Sequence, residues 1–358
     1  MKAVLTGGGR ATRLRPITHT WNKHLIPLAN KPMIFHAIEK VVDAGITDIA
    51  INTNPDETEL QKVIGDGSRW GAKIHFFEQQ GGPLGIANVP KQAEAWIGDS
   101  PFLFYLSDNI ILGNIRHLVE QFKSGGHDAL MTLAKVPDSR RFGVPEFVDG
   151  KIVRLEEKPS VPKSDFAVTG LYLFNNEFFK AYDTVKPSAR GEYEITEIYN
   201  WYLNNARSVG HAEITGWWKD TGKPEDLLEG NQLILDEMTP AEATREGQID
   251  PTATLQGKVH IGKGSKIGPG VLIRGPVTIG ENVTIETSYI GPYTAICNGT
   301  TIRNTEIEHC IIFDNVTVDC HARIVDSLIG KDACVTSKQS NRPHGHKFII
   351  GDNARVEI

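Results

Sequence analysis

The sequence predicts two structural parts: an α/β domain built on strands alternating with helices, and behind it a parallel β-helix. Three observations carry this. Short apolar runs (Ala3 to Leu5, Ile46 to Thr53, Phe102 to Leu106) alternate with amphipathic stretches through the first part of the chain. From Ile249 an aliphatic residue returns every six residues, through Leu255, Ile261, Ile267, Ile273, Ile279 and Ile285, then in steps of five or six to Val335. Between these regions, Met238 to Gln248 turns polar. The predicted division is residues 1–237, a linker over 238–248, and a β-helix with its tail over 249–358.

The elements follow in order. Ala3 to Leu5 is a strand that runs directly into Gly7, Gly8 and Gly9. Glycines without a Cβ let successive N–H groups turn toward an anion, so this turn is a candidate phosphate grip. From Met1 to Ile38 there are six Lys or Arg and no Asp or Glu, in a chain whose net charge is −6. The local excess of positive charge predicts a small polyanionic partner. A dinucleotide-binding turn would need G-x-G-x-x-G, an immediate helix and an acid about 20 residues on. None is present, and Pro16 opposes a helix there.

Pro32 suits the first position of a helix closed by Gly45. A strand to Thr53, a helix from an Asp56 cap to Ile64, a strand around Lys73 to Phe77 and a helix from Gly85 to Trp96 come next. Such alternation reads as a parallel sheet covered on both faces, with ligands outside the carboxyl ends of its strands. Asp108 lies at the end of the apolar strand Phe102 to Leu106. Ala129 to Phe174 reads as further strands, Arg190 to Thr196 as the start of a helix, and Asp220 as a loop residue before a helix opened by Pro224.

The acidic balance and the lack of basic runs with interleaved aromatics argue against a nucleic-acid partner. No apolar run approaches membrane-spanning length and no leader is evident, which predicts a cytoplasmic protein with no membrane partner. Cys297, Cys310, Cys320 and Cys334 have no C-x-x-C spacing and read as free thiols.

The segment G-G-R-A-T-R-L-R-P, followed by N-K-H-L-I-P-L-A-N-K-P-M-I, resembles the signature of the sugar-1-phosphate nucleotidyltransferases, also called sugar-nucleotide pyrophosphorylases. The resemblance runs from residue 1 to nearly the end. It implies a Rossmann-like mixed-sheet domain followed by a left-handed hexapeptide β-helix, Mg²⁺ as cofactor, and a homo-oligomer. It also implies nucleotidyl transfer to glucose 1-phosphate, with dTTP favoured and UTP possible. Gly8, Gly9, Arg10, Ala11 and Thr12 would hold the triphosphate, while Arg13 and Lys23 would stabilise the departing pyrophosphate. Ala11 stands where the family has a glycine, and its Cβ predicts a negative φ.

The family also places a glutamine before its P-x-G turn to pair with a pyrimidine base. Counting back from Gly85 selects Gln80 over Gln79, and a glutamine amide offers the donor and acceptor that a thymine or uracil edge needs. Asp108 and Asp220 would hold the metal. Gly143, Glu157, Lys158, Thr169 and Gly170 would surround the sugar phosphate, with Lys158 aligning it, and Glu192 offers a further sugar contact. Trp217 and Trp218 read as packing. Hexapeptide helices also occur in acetyltransferases, but His260, His309 and His321 are scattered and none stands out as a base. A non-catalytic sensor on the same domains would lose the carboxylates or the lysines, which are all present.

Overall fold

The computed structural model describes residues 1–9, 11–82, 84–214 and 216–337; Arg10 and the expected tail to Ile358 lie outside them. The described chain divides into two compact units, 1–10 with 33–220, and 11–32 with 221 onward. These compact units do not follow the order of the chain as the expected division at 237 does. The stretch around Arg13 and Lys23 and the helix Pro224–Glu237 both pack with the β-helix.

In the first unit the strands are Lys2–Leu5 (β1), Asp48–Thr53 (β2), Lys73–Glu78 (β3), Phe102–Tyr105 (β4), Asn109–Ile111 (β5), Ala129–Lys135 (β6), Gly143–Val148 (β7), Lys151–Glu157 (β8), Phe166–Phe174 (β9), Val209–Glu213 (β10) and Trp218–Asp220 (β11). Seven form one sheet in the order β10-β6-β9-β4-β1-β2-β3. β1 pairs in parallel with β2 and β4, and β2 with β3, as the alternation predicts. β9 runs antiparallel to both β4 and β6, so the sheet is mixed, not purely parallel. A parallel neighbour needs a crossover of a dozen residues or so, usually a helix; β6 and β9 are joined by the β7–β8 hairpin with no α-helix between them, and β9 returns the other way. β4 is buried along its whole length, which explains its unbroken apolar sequence.

Helix Met33–Asp43 (α1) presents Met33, Ile34, Ala37, Ile38 and Val41 to the core. It starts one residue after Pro32, which pairs in a short bridge with Pro27. The expected helix over 85–96 is divided into Asn88–Gln92 (α2) and Glu94–Ile97 (α3), and the helix expected from Arg190 begins only at Ile195. The delay has a clear cause: the Tyr193 N–H donates to the Leu84 carbonyl at 2.7 Å, which commits 190–194 to the loop around Gly85.

In the second unit the aliphatic repeat becomes three parallel sheets of six, five and five strands. Ile249, Ile267, Ile285, Ile302, Val318 and Val335 stack in register on one side. Leu255, Ile273, Ile290, Ile307 and Ile324 stack on the second, and Ile261, Ile279, Ile296, Ile312 and Ile329 on the third. Each coil buries its apolar face only on its neighbours. Ser265 is fully buried at one corner, its Oγ donating to the Gly280 carbonyl and accepting the Val283 N–H. The polar stretch expected to be a linker is partly wound into the helix: Ile261 N–H donates to the Thr244 carbonyl and Glu246 N–H to that of Ile261, both at 2.8 Å. The four cysteines are free, with Cys297 and Cys310 buried.

Ile302→Ala, in the middle of a stack, is expected to cost about 2–5 kcal/mol through the cavity it leaves; a lowered denaturant midpoint for loss of β structure checks it.

Candidate active site

The glycine turn after β1 sits at the carboxyl ends of β2 and β3. Gly7 N–H donates to Asn52 Oδ1 at 2.9 Å and Gly9 N–H to Asn54 Oδ1 at 2.7 Å. The turn is therefore fixed by two asparagines from the end of β2. A Cβ on Gly8 would lie 2.8 Å from Asn52 Nδ2 and 3.0 Å from Gln79 Oε1, so no side chain fits there without displacing its supports. Gly9 has a φ of 120°, which only glycine adopts freely.

The two glutamines differ in what they do. Gln79 spends its amide internally, accepting from Asn52 Nδ2 at 3.3 Å and donating to the Gly82 carbonyl at 3.0 Å. Gln80 is exposed, and its main chain is clasped by Gln92: Gln80 N–H donates to Gln92 Oε1 at 2.9 Å, and Gln92 Nε2 donates back to the Gln80 carbonyl at 2.8 Å. Gly85, at φ 94°, passes so close to Tyr193 that a Cβ would meet its backbone at 2.7 Å.

Seven predicted residues line one open cavity of about 160 Å³: Asp108, Gly143, Glu157, Lys158, Thr169, Gly170 and Asp220. The β7–β8 hairpin pairs Gly143 directly with Glu157. Lys158 holds a left-handed φ of 48°, fixed by its N–H donating to the Phe142 carbonyl at 2.9 Å, and its Nζ lies 3.4 Å from Glu157 Oε1. Arg190 reaches Glu157, Glu192 and Glu194 at 3.6, 3.2 and 2.8 Å, which places Glu192 in an ion-pair cluster. Burial raises the Glu157 carboxyl above its usual range, opposed by the Lys158 charge; the Glu194 carboxylate adds to the rise, and Arg190 opposes it. Thr169 also lines the cavity. Its hydroxyl is buried against that of Thr132, so only its backbone remains for a ligand.

Asp108 follows β4, and Asp220 ends β11, whose ladder with β5 sets Asp220 opposite Asn109. The two acids thus arrive on adjacent backbone. Asn109 Nδ2 donates to Asp108 Oδ1 at 2.9 Å, while Trp218 Nε1 donates to Asn109 Oδ1 at 2.7 Å. Trp218, expected to be packing, also orients this pair and carries an edge-to-face contact with Phe142 at 5.1 Å. Beneath the cavity the buried Tyr172 phenol is pushed well above its usual range, first by burial and then by the charges of Glu157, Asp108 and Asp220. Asn52, Asn54, Gln92, Asn109 and Trp218 were not singled out for these roles; polar residues at the end of the apolar β2 were the one sequence signal for the first two.

Ala11, Thr12, Arg13 and Lys23 belong to the other compact unit. Ala11 has φ 43° and ψ 42°, which overturns the negative φ its Cβ predicted. Its carbonyl accepts the Thr18 hydroxyl at 2.8 Å and the Leu14 N–H at 3.0 Å, and these bonds hold the left-handed turn. Thr12 and Arg13 form a single turn of 3₁₀ helix with Leu14, and Lys23 opens another, capped by Asn22 Oδ1 accepting the His24 N–H at 2.7 Å. In the β-helix, His309 bonds Asp326 through Nδ1 at 2.5 Å, while its Nε2 is buried and so is not presented as a base.

A mixed α/β sheet with a glycine turn at its carboxyl edge, followed in sequence by a hexapeptide helix, is the architecture of a nucleotidyltransferase. A family model described as nucleotidyl transferase matches residues 2–237, and one described as bacterial transferase hexapeptide (six repeats) matches 258–288. The chain belongs to the nucleotidyl transferase family. It is 38% identical over 359 residues to glucose-1-phosphate thymidylyltransferase of Streptomyces griseus, covering 100% of this chain and 99% of that protein. It is 37% identical over 361 residues to the low-salt glycan biosynthesis nucleotidyltransferase Agl11 of Haloferax volcanii, covering 100% of both. A crystal structure of a Bacillus anthracis protein in complex with sucrose superposes with a TM-score of 0.62 at 38% identity, covering 67% of this chain and 96% of that one. Among the described residues no helix is long and apolar enough to cross a membrane.

Two substitutions test the backbone constraints. A Cβ at Gly170 would stand 2.5 Å from Asn109 Cγ, and Gly170→Ala is expected to destabilise by about 1–3 kcal/mol, read in denaturant melts. Ala11→Gly relieves a left-handed alanine and is expected to stabilise by about 0.5–1 kcal/mol in the same measurement.

Proposed function

We propose that this enzyme joins dTTP to glucose 1-phosphate, giving dTDP-glucose and pyrophosphate, with UTP as the alternative nucleotide. The observation that carries this reading is the cavity where Glu157, Lys158 and the glycines Gly143 and Gly170 meet Asp108 and Asp220. A phosphate oxygen of glucose 1-phosphate attacks the α-phosphorus; that P–O bond forms as the bond to the β-phosphate oxygen breaks, and pyrophosphate leaves with the electron pair. The attacking oxygen is already ionised, so no general base is required. Catalysis rests on alignment and charge neutralisation. Glu157 accepts sugar hydroxyls, Lys158 meets the sugar phosphate, Gln80 reads the pyrimidine edge, and Gly8, Gly9 and the following residues cradle the triphosphate. Arg13 and Lys23 stabilise the pyrophosphate as it departs.

The paired acids suit Mg²⁺: two hard carboxylates on adjacent backbone, one oriented by an asparagine, are the ligands it takes together with phosphate oxygens and water. Asp108 and Asp220 would hold the ion, and when bound it neutralises charge on the phosphates. The resemblance also supports a homo-oligomer acting in the cytoplasm.

The direct test is pyrophosphate release from glucose 1-phosphate with Mg²⁺ and each of dTTP, UTP, ATP and GTP. Release with dTTP, and more weakly with UTP, is expected, because one methyl in an apolar pocket discriminates by about 1–3 kcal/mol. A purine preference would overturn the role of Gln80, and silence with all four nucleotides the reaction itself. Lys23→Ala is expected to lower kcat by about a hundredfold with a much smaller change in nucleotide KM. Glu157 must be ionised to accept hydroxyls and its carboxyl is raised by burial. Accordingly, kcat/KM for glucose 1-phosphate is expected to fall as pH drops through a value above the ordinary glutamate range. Glu157→Gln removes that limb and leaves a low, flatter profile.

A further inference from the structure

The β-helix is in contact with the segment that bears Arg13 and Lys23, on both sides of Lys23. Two residues before it, Trp21 stands edge-to-face on Phe313 with centroids 5.5 Å apart, and Phe313 is fully buried in a β-helix coil. Beyond it, Pro27–Leu28 and Lys31–Pro32 pair as a tight hairpin whose tip, Ala29 and Asn30, has φ of 49° and 64°. That tip is gripped. Ala29 N–H donates to Oδ1 of the fully buried Asn231 at 2.8 Å, and Asn231 Nδ2 donates to the Tyr293 carbonyl of the β-helix at 2.9 Å. Asn30 Nδ2 donates to the Ile296 carbonyl at 2.7 Å, and its Oδ1 accepts from Cys297 Sγ at 3.4 Å. On the Arg13 side, Gly222 supplies a flat surface: a Cβ there would lie 3.3 Å from the Arg13 guanidinium.

We propose that the β-helix is the mount that holds the Arg13–Lys23 segment in its working position, and that Phe313 and Asn231 are positioning residues for pyrophosphate departure. They act through Trp21 and the Ala29–Asn30 tip without touching substrate. This rests on the reading of Arg13 and Lys23 given above.

The experiment is the reverse reaction of the full-length enzyme, dTDP-glucose with pyrophosphate, because pyrophosphate is the ligand Arg13 and Lys23 meet. Phe313→Ala and Asn231→Ala are each expected to raise the KM for pyrophosphate about tenfold, with the KM for dTDP-glucose within about twofold of wild type. Loss of folded protein lowers kcat and leaves both KM values unchanged, so a purely structural role gives the opposite pattern and overturns the proposal. Asn30→Gly provides a variant that keeps the left-handed tip while deleting its bonds to Ile296 and Cys297, and the same KM shift is expected. The double variant Trp21→Ala with Phe313→Ala is expected to be no worse than the larger single effect; additive effects would overturn the coupling. Lys23→Ala separates the two readings. If it leaves pyrophosphate KM and kcat unchanged, the assignment of Lys23 fails; if it shifts them and the Phe313, Asn231 and Asn30 variants do not, the mount fails.

Discussion

Asn109 is the residue on which the substrate end of the sheet depends. Its carbonyl accepts the buried Tyr105 hydroxyl at 2.8 Å, its side-chain oxygen accepts the Trp218 indole, and its amide holds Asp108. Its backbone pairs with Asp220, and its side chain lies against the bare face of Gly170. One residue, through its main chain and its side chain, therefore ties together β4, β5, β9 and β11 and brings Asp108 and Asp220 onto adjacent backbone. Two acids on neighbouring backbone are unfavourable by themselves, and here their placement is imposed by main-chain pairing and by the Asn109 hydrogen bond to Asp108. The glycine at 170 follows from the same constraint, since a larger residue would push the asparagine off both partners.

The glycine turn shows a second way of holding a strained arrangement. Three glycines alone would be costly to order, because each loses more conformational freedom than any other residue. Asn52 and Asn54 take the Gly7 and Gly9 amides from the end of the neighbouring strand, and Gln79 closes on Asn52 from the next. The loop after β1 thus takes its shape from β2 and β3, and an anion would meet a turn already organised.

Much of this was legible from residues alone where one residue type answers to one geometric demand. Every aliphatic position of the hexapeptide series from Ile249 to Val335 falls in one of three ladders, because each short side of a coil sets its repeat position directly on that of the next coil. Gly143, Glu157, Lys158, Gly170, Asp108 and Asp220 were named through the family resemblance, not from the residues alone, and they line one cavity. The features that escaped depend on partners distant in sequence. Nothing near Arg190 announces that Tyr193 will bond Leu84 and delay the helix, and nothing near Trp218 announces Asn109. Ala11 is left-handed because Thr18 and Leu14 hold its carbonyl, which outweighs a local preference of about 1–2 kcal/mol.

The same reasoning explains why residues 11–32 pack with the second unit. That stretch carries Arg13, Arg15, Lys23 and Lys31 with no acidic residue among them, so its charges repel and no ion pair within it can fix its course. Its helical pieces are single 3₁₀ turns, too short to be stable alone. Its order must come from burial and from hydrogen bonds to something rigid. Leu14, Leu25, Ile26 and Leu28 are buried, and the hairpin tip is bonded to Asn231 and to the β-helix backbone. A β-helix suits this task. Its coils are joined by continuous ladders, and Ile296 is paired on both sides, with Ile279 and with Ile312. Aromatic packing of Trp21 on Phe313 and amide hydrogen bonds at the hairpin tip supply a support for this basic segment that does not depend on ion pairs within it.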